Sequence, residues 1–198
     1  NYREGKVDFD KTKEKVLSQV IPMVKQKRVV LTQGFIGRAP NGKTTTLGRE
    51  GSDYTAAILA YCANAESVTI WKDVPGVLNA DPKWFDNTVK IEHLSYQDAI
   101  ELAYYGATVI HPKTIKPLQN KNIPLYVRSF LKPEARGTRI DNDVTQLPVP
   151  CFIFKVNQVL VSVSPKDFSF IVEENLSRIF DVFARYKVKA NVLQNSAI

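Results

Sequence analysis

Residues 37–44 read GRAPNGKT. Gly37, four residues, then Gly42-Lys43-Thr44 match G-x-x-x-x-G-K-[ST], the loop whose backbone N–H groups cradle nucleotide phosphates. Downstream, SVTIWKD (67–73) reads as an apolar strand ending in an acidic residue, as a P-loop enzyme would need for Mg2+. The flanks decide the reading. A P-loop turns from a strand directly into a helix whose N-terminus faces the phosphates. Upstream, RVVLTQGF (28–35) meets that requirement: Val29, Val30 and Leu31 run without alternation, as in a parallel strand buried on both faces. Downstream it fails. Thr44, Thr45 and Thr46 are β-branched, and Gly48 and Gly51 fall where the helix body would lie, each costing roughly 1 kcal/mol relative to Ala. Asn41-Gly42 instead suits a tight hairpin turn in which both residues take positive φ. FIGRA and KTTTL are then its strands, and Lys43 is a solvated turn residue.

The good helix formers come later, in SDYTAAILAYCANA (52–65), which Ser52 or Asp53 can cap. This defines a second anion-site candidate, TTLGREGSDYTAA (45–57). Gly48 and Gly51 let backbone approach a ligand closely, and the helix N-terminus attracts an anion. Arg49 offers a planar fork for a carboxylate. Asp53 can accept bonds from a substrate ammonium or position a lysine and the phosphates. A plain loop with an N-cap aspartate fits the spacing equally well.

Elsewhere, Val16, Val20 and Val24 mark one stripe of a helix over 11–27, interrupted in regularity by Pro22. SVTIW and IPLYVRSF (123–130) read as strands, DVPGVLNADPKWFDN (73–87) as a long loop. SYQDAIELAYYG (95–106) is a helix with a capping box at Ser95 and Asp98 and a stop at Gly106. HPKTIKPLQNKN (111–122) is a short helix with Pro112 in its first turn. Alternating strands and helices predict an α/β layer with a mostly parallel sheet covered by helices on both faces. LKPEARGTRIDNDVTQLPVP (131–150), polar and proline-rich, reads as an interdomain connection. CFIFKV, QVLVSVSP, a helix over 168–186 and VKANVLQN then suggest a partial α+β domain.

The chain has 198 residues, 44% of them hydrophobic, and a net charge of +7 that suits an anionic ligand. No basic run is interleaved with aromatics, so a nucleic-acid partner is not expected. No apolar stretch approaches the ~20 residues of a membrane span. Cys62 and Cys151 read as reduced thiols of a cytoplasmic protein, and with His93 and His111 they lack metal-ligand spacing. The start at Asn1 and the end on LQNSAI, mid-strand by its pattern, suggest a piece of a longer polypeptide.

VVLTQGFIG, TTTLGREGSDYTAAILA, IWKDVPGVLNADPK, IEHLSYQDAIELAYYGATVIHPKTI and IPLYVRSF follow one another in order, and the chain resembles the aspartate kinases (aspartokinases) of the amino acid kinase family from about Val29 to Ile140. FDVFARYKVKANVLQNSAI resembles the first part of that family's regulatory ACT domain. The resemblance implies residues 1–140 as the C-terminal part of the kinase domain, with substrate and nucleotide segments. It implies 141–198 as linker and incomplete ACT-like domain. It implies transfer of the γ-phosphate of ATP, with Mg2+, to the β-carboxylate of L-aspartate, in lysine, threonine and methionine biosynthesis. Arg49 and Ser52 would bind aspartate, Asp53 would organise the catalytic centre, and Lys72, Asp73 and Lys83 would contact the nucleotide. No protein ligand set for a resident metal is implied. A feedback amino acid would bind at the ACT region, through which the protein would form homo-oligomers. Asn191 stands where lysine-sensitive relatives use an acidic residue, leaving the effector open. Leu78 stands where some relatives place a nucleotide-contacting tyrosine, and Glu50 where many carry glycine. Thr108 replaces a phosphate-binding lysine, for which Lys113 or Lys116 could compensate. The family's Lys-Phe-Gly-Gly-Thr-Ser segment does not occur in these residues, so the chain alone is expected to lack useful kinase activity. The alternatives are a non-catalytic amino-acid-binding regulatory fragment and, on the GRAPNGKT match alone, a P-loop ATPase.

Overall fold

The computed structural model describes residues 5–107, 109–143, 149–166 and 170–195. The chain divides into two compact units, Asn1–Phe154 and Lys155–Ile198. In the first, α1 (Phe9–Lys15) runs through a π-helical segment (Val16–Val20) into α2 (Ile21–Lys25). Pro22 sits in the first turn of α2, where its missing N–H costs least, and the wider π turn carries the chain across the junction. Val16 is buried with Leu47, Ile58 and Cys62.

GRAPNGKT forms a hairpin. β1 (Ile36–Arg38) pairs antiparallel with β2 (Thr44–Thr46), Arg38 opposite Thr44. The Gly42 N–H donates to the Ala39 carbonyl at 2.9 Å, and the Ala39 N–H donates to the Lys43 carbonyl at 2.9 Å. Of Asn41 and Gly42 only Gly42 has positive φ, +80°. The loop is thus a three-residue type closed by a left-handed glycine, not the two-residue turn expected. No helix begins at Lys43.

α3 (Gly51–Ala63) leads to β3 (Val68–Lys72); β4 (His93–Ser95) and α4 (Tyr96–Tyr105) follow, then α5 (Pro112–Gln119), β5 (Leu125–Ser129) and β6 (Thr138–Asp141). The sheet order is β3-β5-β6-β4. The β3–β5 and β4–β6 pairs are parallel and β5–β6 is antiparallel, giving a mixed sheet with helices. Its core gathers Ile91, Leu94, Tyr96, Ile115, Leu118, Leu125, Val127 and Ile140. The Ser95 side chain accepts from the Asp98 N–H at 3.0 Å, and Gly106, at φ +134°, ends α4, both as the sequence predicts.

Three expectations are corrected. RVVLTQGF forms no strand: Val29 is 98% and Leu31 95% exposed. An apolar run becomes a strand only beside a backbone that satisfies its N–H and C=O groups, and no described strand pairs with it. Within the supposed linker, Thr138–Asp141 is β6, lying between β5 and β4. Four residues with one aliphatic side chain are too short a pattern to read, and their strand character comes from having neighbours on both sides. In the expected α+β domain, CFIFKV, QVLVSVSP and VKANVLQN form no strand among the described residues; only Phe152, which belongs to the first unit, makes an isolated bridge, to Ala80. The helix is α6 (Glu173–Arg185), shorter than the expected 168–186, of which residues 168 and 169 lie outside the described residues.

Between β4 and β6, the His93 Nε2–H donates to Asp141 Oδ1 at 2.7 Å and Arg139 Nε lies 2.5 Å from Asp141 Oδ2. Burial opposes the Asp141 charge, but the hydrogen bonds from His93 and the Asp143 N–H, with the His93 and Arg139 charges, hold its carboxyl below the usual value.

Candidate active site

Leu47 closes the hairpin as a buried residue, and the chain turns at Gly48 (φ +79°) and Glu50 (φ +55°) into α3. The helix starts at Gly51, where a Cβ would stand 2.7 Å from the Phe35 ring and 3.3 Å from Phe35 Cα. Glu50, not Ser52 or Asp53, occupies the cap position, and it makes no side-chain cap hydrogen bond. Its left-handed backbone brings the chain into the helix one residue early. That conformation costs a residue with a Cβ about 1–2 kcal/mol and favours glycine. Thr55 Oγ1 donates to the Gly51 carbonyl at 2.8 Å and accepts from the Phe35 N–H at 3.0 Å, tying the preceding segment to the first turn.

Asp53 therefore stands inside the first turn, and Lys72 is the last residue of β3. The Lys72 ammonium donates to Asp53 Oδ2 at 2.6 Å, with side-chain exposures of 23% and 16%. The lysine beside Asp53 thus stands nineteen positions away in the chain. Two elements distant in sequence are thus joined at the helix N-terminus, where the backbone dipole also favours negative charge. Lys72 is held from below as well: β3 pairs with β5 at Ser129, and the Phe130 N–H donates to the Lys72 carbonyl at 2.9 Å.

Around this pair, Arg49 is exposed (72%), its Nε 4.0 Å from Glu50 Oε1. Ser52 is exposed on the first turn, and Gly34 packs against it. Asp73 follows β3 directly and is exposed. Lys83 is exposed on a turn in which Asp81 Oδ1 accepts from the Lys83 N–H at 2.9 Å. Leu78 bridges antiparallel to Lys90. Thr108 lies outside the described residues. Lys113 sits in the first turn of α5, its N–H donating to His111 Nδ1 at 3.1 Å. Burial pushes the Tyr54 hydroxyl up, and Lys113 pulls it back, which places that ammonium's field on the first turn of α3. A cavity of about 1060 Å³ lies elsewhere, lined by α1, Arg38, Gly42 and Leu59, and Asp53 and Lys72 are not part of its wall. The acid–ammonium pair, not the volume, is therefore the better guide.

A helix start, an ammonium held by a carboxylate and an exposed guanidinium beside Glu50 are groups chemically suited to an anion. Lys43 takes no part.

The amino acid kinase family model matches residues 5–129. Lysine-sensitive aspartokinase 3 of Escherichia coli (strain K12) is 35% identical over 181 residues, 91% of this chain and 40% of that relative. The chloroplastic bifunctional aspartokinase/homoserine dehydrogenase 2 of Arabidopsis thaliana is 44% identical over 113 residues, 57% of this chain and 12% of its own length. The crystal structure of E. coli aspartokinase III in complex with aspartate and ADP (R-state) superimposes with a TM-score of 0.77 at 31% identity, covering 99% of this chain and 44% of that one. The chain thus spans less than half the length of the curated relatives it matches.

Proposed function

The chain belongs to the amino acid kinase family, and from that premise we propose that it carries the substrate and nucleotide segments of an aspartate kinase. The reaction would pass the ATP γ-phosphate to the β-carboxylate of L-aspartate, at the head of lysine, threonine and methionine synthesis. The observation that carries this reading is the Lys72–Asp53 pair, which sets a lysine beside the first turn of α3.

Phosphoryl transfer asks the protein chiefly for positioning and charge neutralisation. Asp53 fixes the direction of the Lys72 ammonium toward nucleotide phosphate. The attacking carboxylate is already ionised near neutral pH, with a reference pKa of about 4, so Asp53 is not needed as a base. Arg49 and Ser52 would hold the amino acid, and Asp73 and Lys83 the nucleotide. Mg2+ would come with the nucleotide's phosphates, offsetting their charge. Lys113, in the first turn of α5, or Lys116 would substitute for the lysine expected at Thr108.

Beyond β6, the second unit, Lys155–Ile198, would be the start of an ACT-like regulatory domain, with self-association through it, a feedback amino acid bound there and a cytoplasmic location. The related E. coli structures hold aspartate with ADP in one state and lysine with aspartate in another. The phosphate-contacting lysine of the Lys-Phe-Gly-Gly-Thr-Ser segment is absent from these residues, so this chain by itself would not turn over.

Titration calorimetry tests the reading. The chain should bind MgADP, and Lys72→Met should weaken that binding about tenfold or more. Binding of lysine or threonine with no binding of MgADP would favour the regulatory-fragment alternative.

A further inference from the structure

The loop after Lys72 leaves β3 and returns to the sheet at Val77. Its return point is a single hydroxyl, on a residue sixty-one positions away. The Val77 N–H donates to Thr138 Oγ1 at 2.8 Å, and Thr138 Oγ1 donates to the Ile91 carbonyl at 2.6 Å. Thr138 is fully buried. A hydroxyl has one donor and can accept as well, so it satisfies both backbone groups at once; a methyl of the same shape satisfies neither.

The surroundings leave room for this and nothing larger. At Gly76 (φ +145°) a Cβ would stand 2.6 Å from Thr138 Oγ1. At Gly137 a Cβ would stand 1.8 Å from the Val127 carbonyl oxygen, so glycine lets the threonine reach the sheet. Beyond the hydroxyl, the Ile91 N–H returns to the Val77 carbonyl at 2.9 Å and the Asn79 N–H to the Val89 carbonyl at 2.9 Å. Residues 77–79 thereby form a short ladder on 89–91 that starts at Thr138.

We propose that Thr138 is a positioning residue, pinning the segment 73–80 so that Asp73 and the Asp81–Lys83 turn meet the nucleotide at a fixed distance from Lys72. It touches no ligand and acts through the loop. The nucleotide part of this inference rests on the function proposed above; the pinning part does not.

The test compares the wild-type chain with Thr138→Val, Thr138→Ser and, as a control, Thr114→Val, which removes a buried hydroxyl that has no hydrogen-bond partner among the described residues. Amide hydrogen exchange and MgADP titration are the readouts. In wild type the Val77 amide should exchange far more slowly than that of exposed Asp73. Thr138→Val should speed Val77 exchange and weaken MgADP binding, each by about tenfold or more, the fold-change matching a stranded buried donor. Thr138→Ser should restore both to within about threefold, and Thr114→Val should move neither. If wild type binds no MgADP, the proposed function fails while Val77 exchange still judges the pin. Val77 exchanging as fast as Asp73 in wild type, or unchanged exchange in Thr138→Val, overturns the proposal; the first of these applies even if Thr138→Val does not fold.

Discussion

Two glycine-punctuated turns lie two residues apart in this chain, GRAPNGKT at 37–44 and LGREGSD at 47–53. Only the first matches a nucleotide-binding pattern, yet only the second opens a helix and meets a buried-side partner. In the hairpin the glycine serves backbone geometry, at φ +80°, and Lys43 points its charge into solvent. In the second turn, Gly51 permits contact with Phe35, and Asp53 holds Lys72 at 2.6 Å. A phosphate site is made by N–H groups and cations converging on one point, and a pattern of residue types carries that meaning only when a helix follows it.

The contrast breaks most readily at Lys72. In a full-length kinase that contains this segment, Lys72→Met or Asp53→Asn should lower kcat by about a hundredfold or more, as loss of a preorganised charge does; steady-state kinetics with coupled ADP detection would measure it. Retention of wild-type kcat would return the two turns to equal standing. Next in size, Arg49→Ala in the same protein should raise the KM for aspartate by about tenfold or more, with a smaller change in the KM for ATP, as a charged hydrogen bond is lost.

Glu50→Gly sharpens the comparison from the side of stability. It should stabilise the first unit by about 1 kcal/mol in urea unfolding, because the left-handed backbone strain disappears, partly offset by a more flexible unfolded chain. A destabilised variant would mean that the Glu50–Arg49 contact at 4.0 Å matters more than the strain.

The acid limit of the fold belongs to neither turn. Asp141 has its carboxyl held below the usual value in the folded state, so its stabilising contribution is full above the unfolded pKa near 4 and fades as pH falls through the lower folded value. Urea midpoints measured from pH 6 down to pH 2 should drop across that window, and less steeply in Asp141→Asn. Smallest of all, Lys43→Ala should leave MgADP affinity within about twofold and stability within about 0.5 kcal/mol, the range of ordinary surface changes.

Much of this was legible in the residues. Three consecutive threonines and two glycines argued against a helix at Lys43, and the chain forms a hairpin there. The Ser95–Asp98 cap, the Gly106 stop and the Pro112 start all lie where the sequence puts them. Arg49 and Asp53 stood out by residue type at a glycine-flanked helix start, whereas Lys72 was named by the family resemblance alone. The sequence also misled. RVVLTQGF has the apolar run of a buried strand and remains exposed, while TRID looks like linker and lies inside the sheet. The second unit repeats the lesson: α6 has an apolar stripe, but Phe180 and Val182 stay nearly half exposed, and none of its residues is buried.

Turns, caps and helix starts were decided locally, because propensity, capping and φ preferences act over three or four residues and need no distant partner. The partners were decided by tertiary structure. Asp53 and Lys72 meet across nineteen positions, Val77 and Thr138 across sixty-one. Whether an apolar run is buried, or a hydroxyl bridges two backbone groups, depends on which surfaces the folded chain brings within 3 Å, and no local preference encodes that distance.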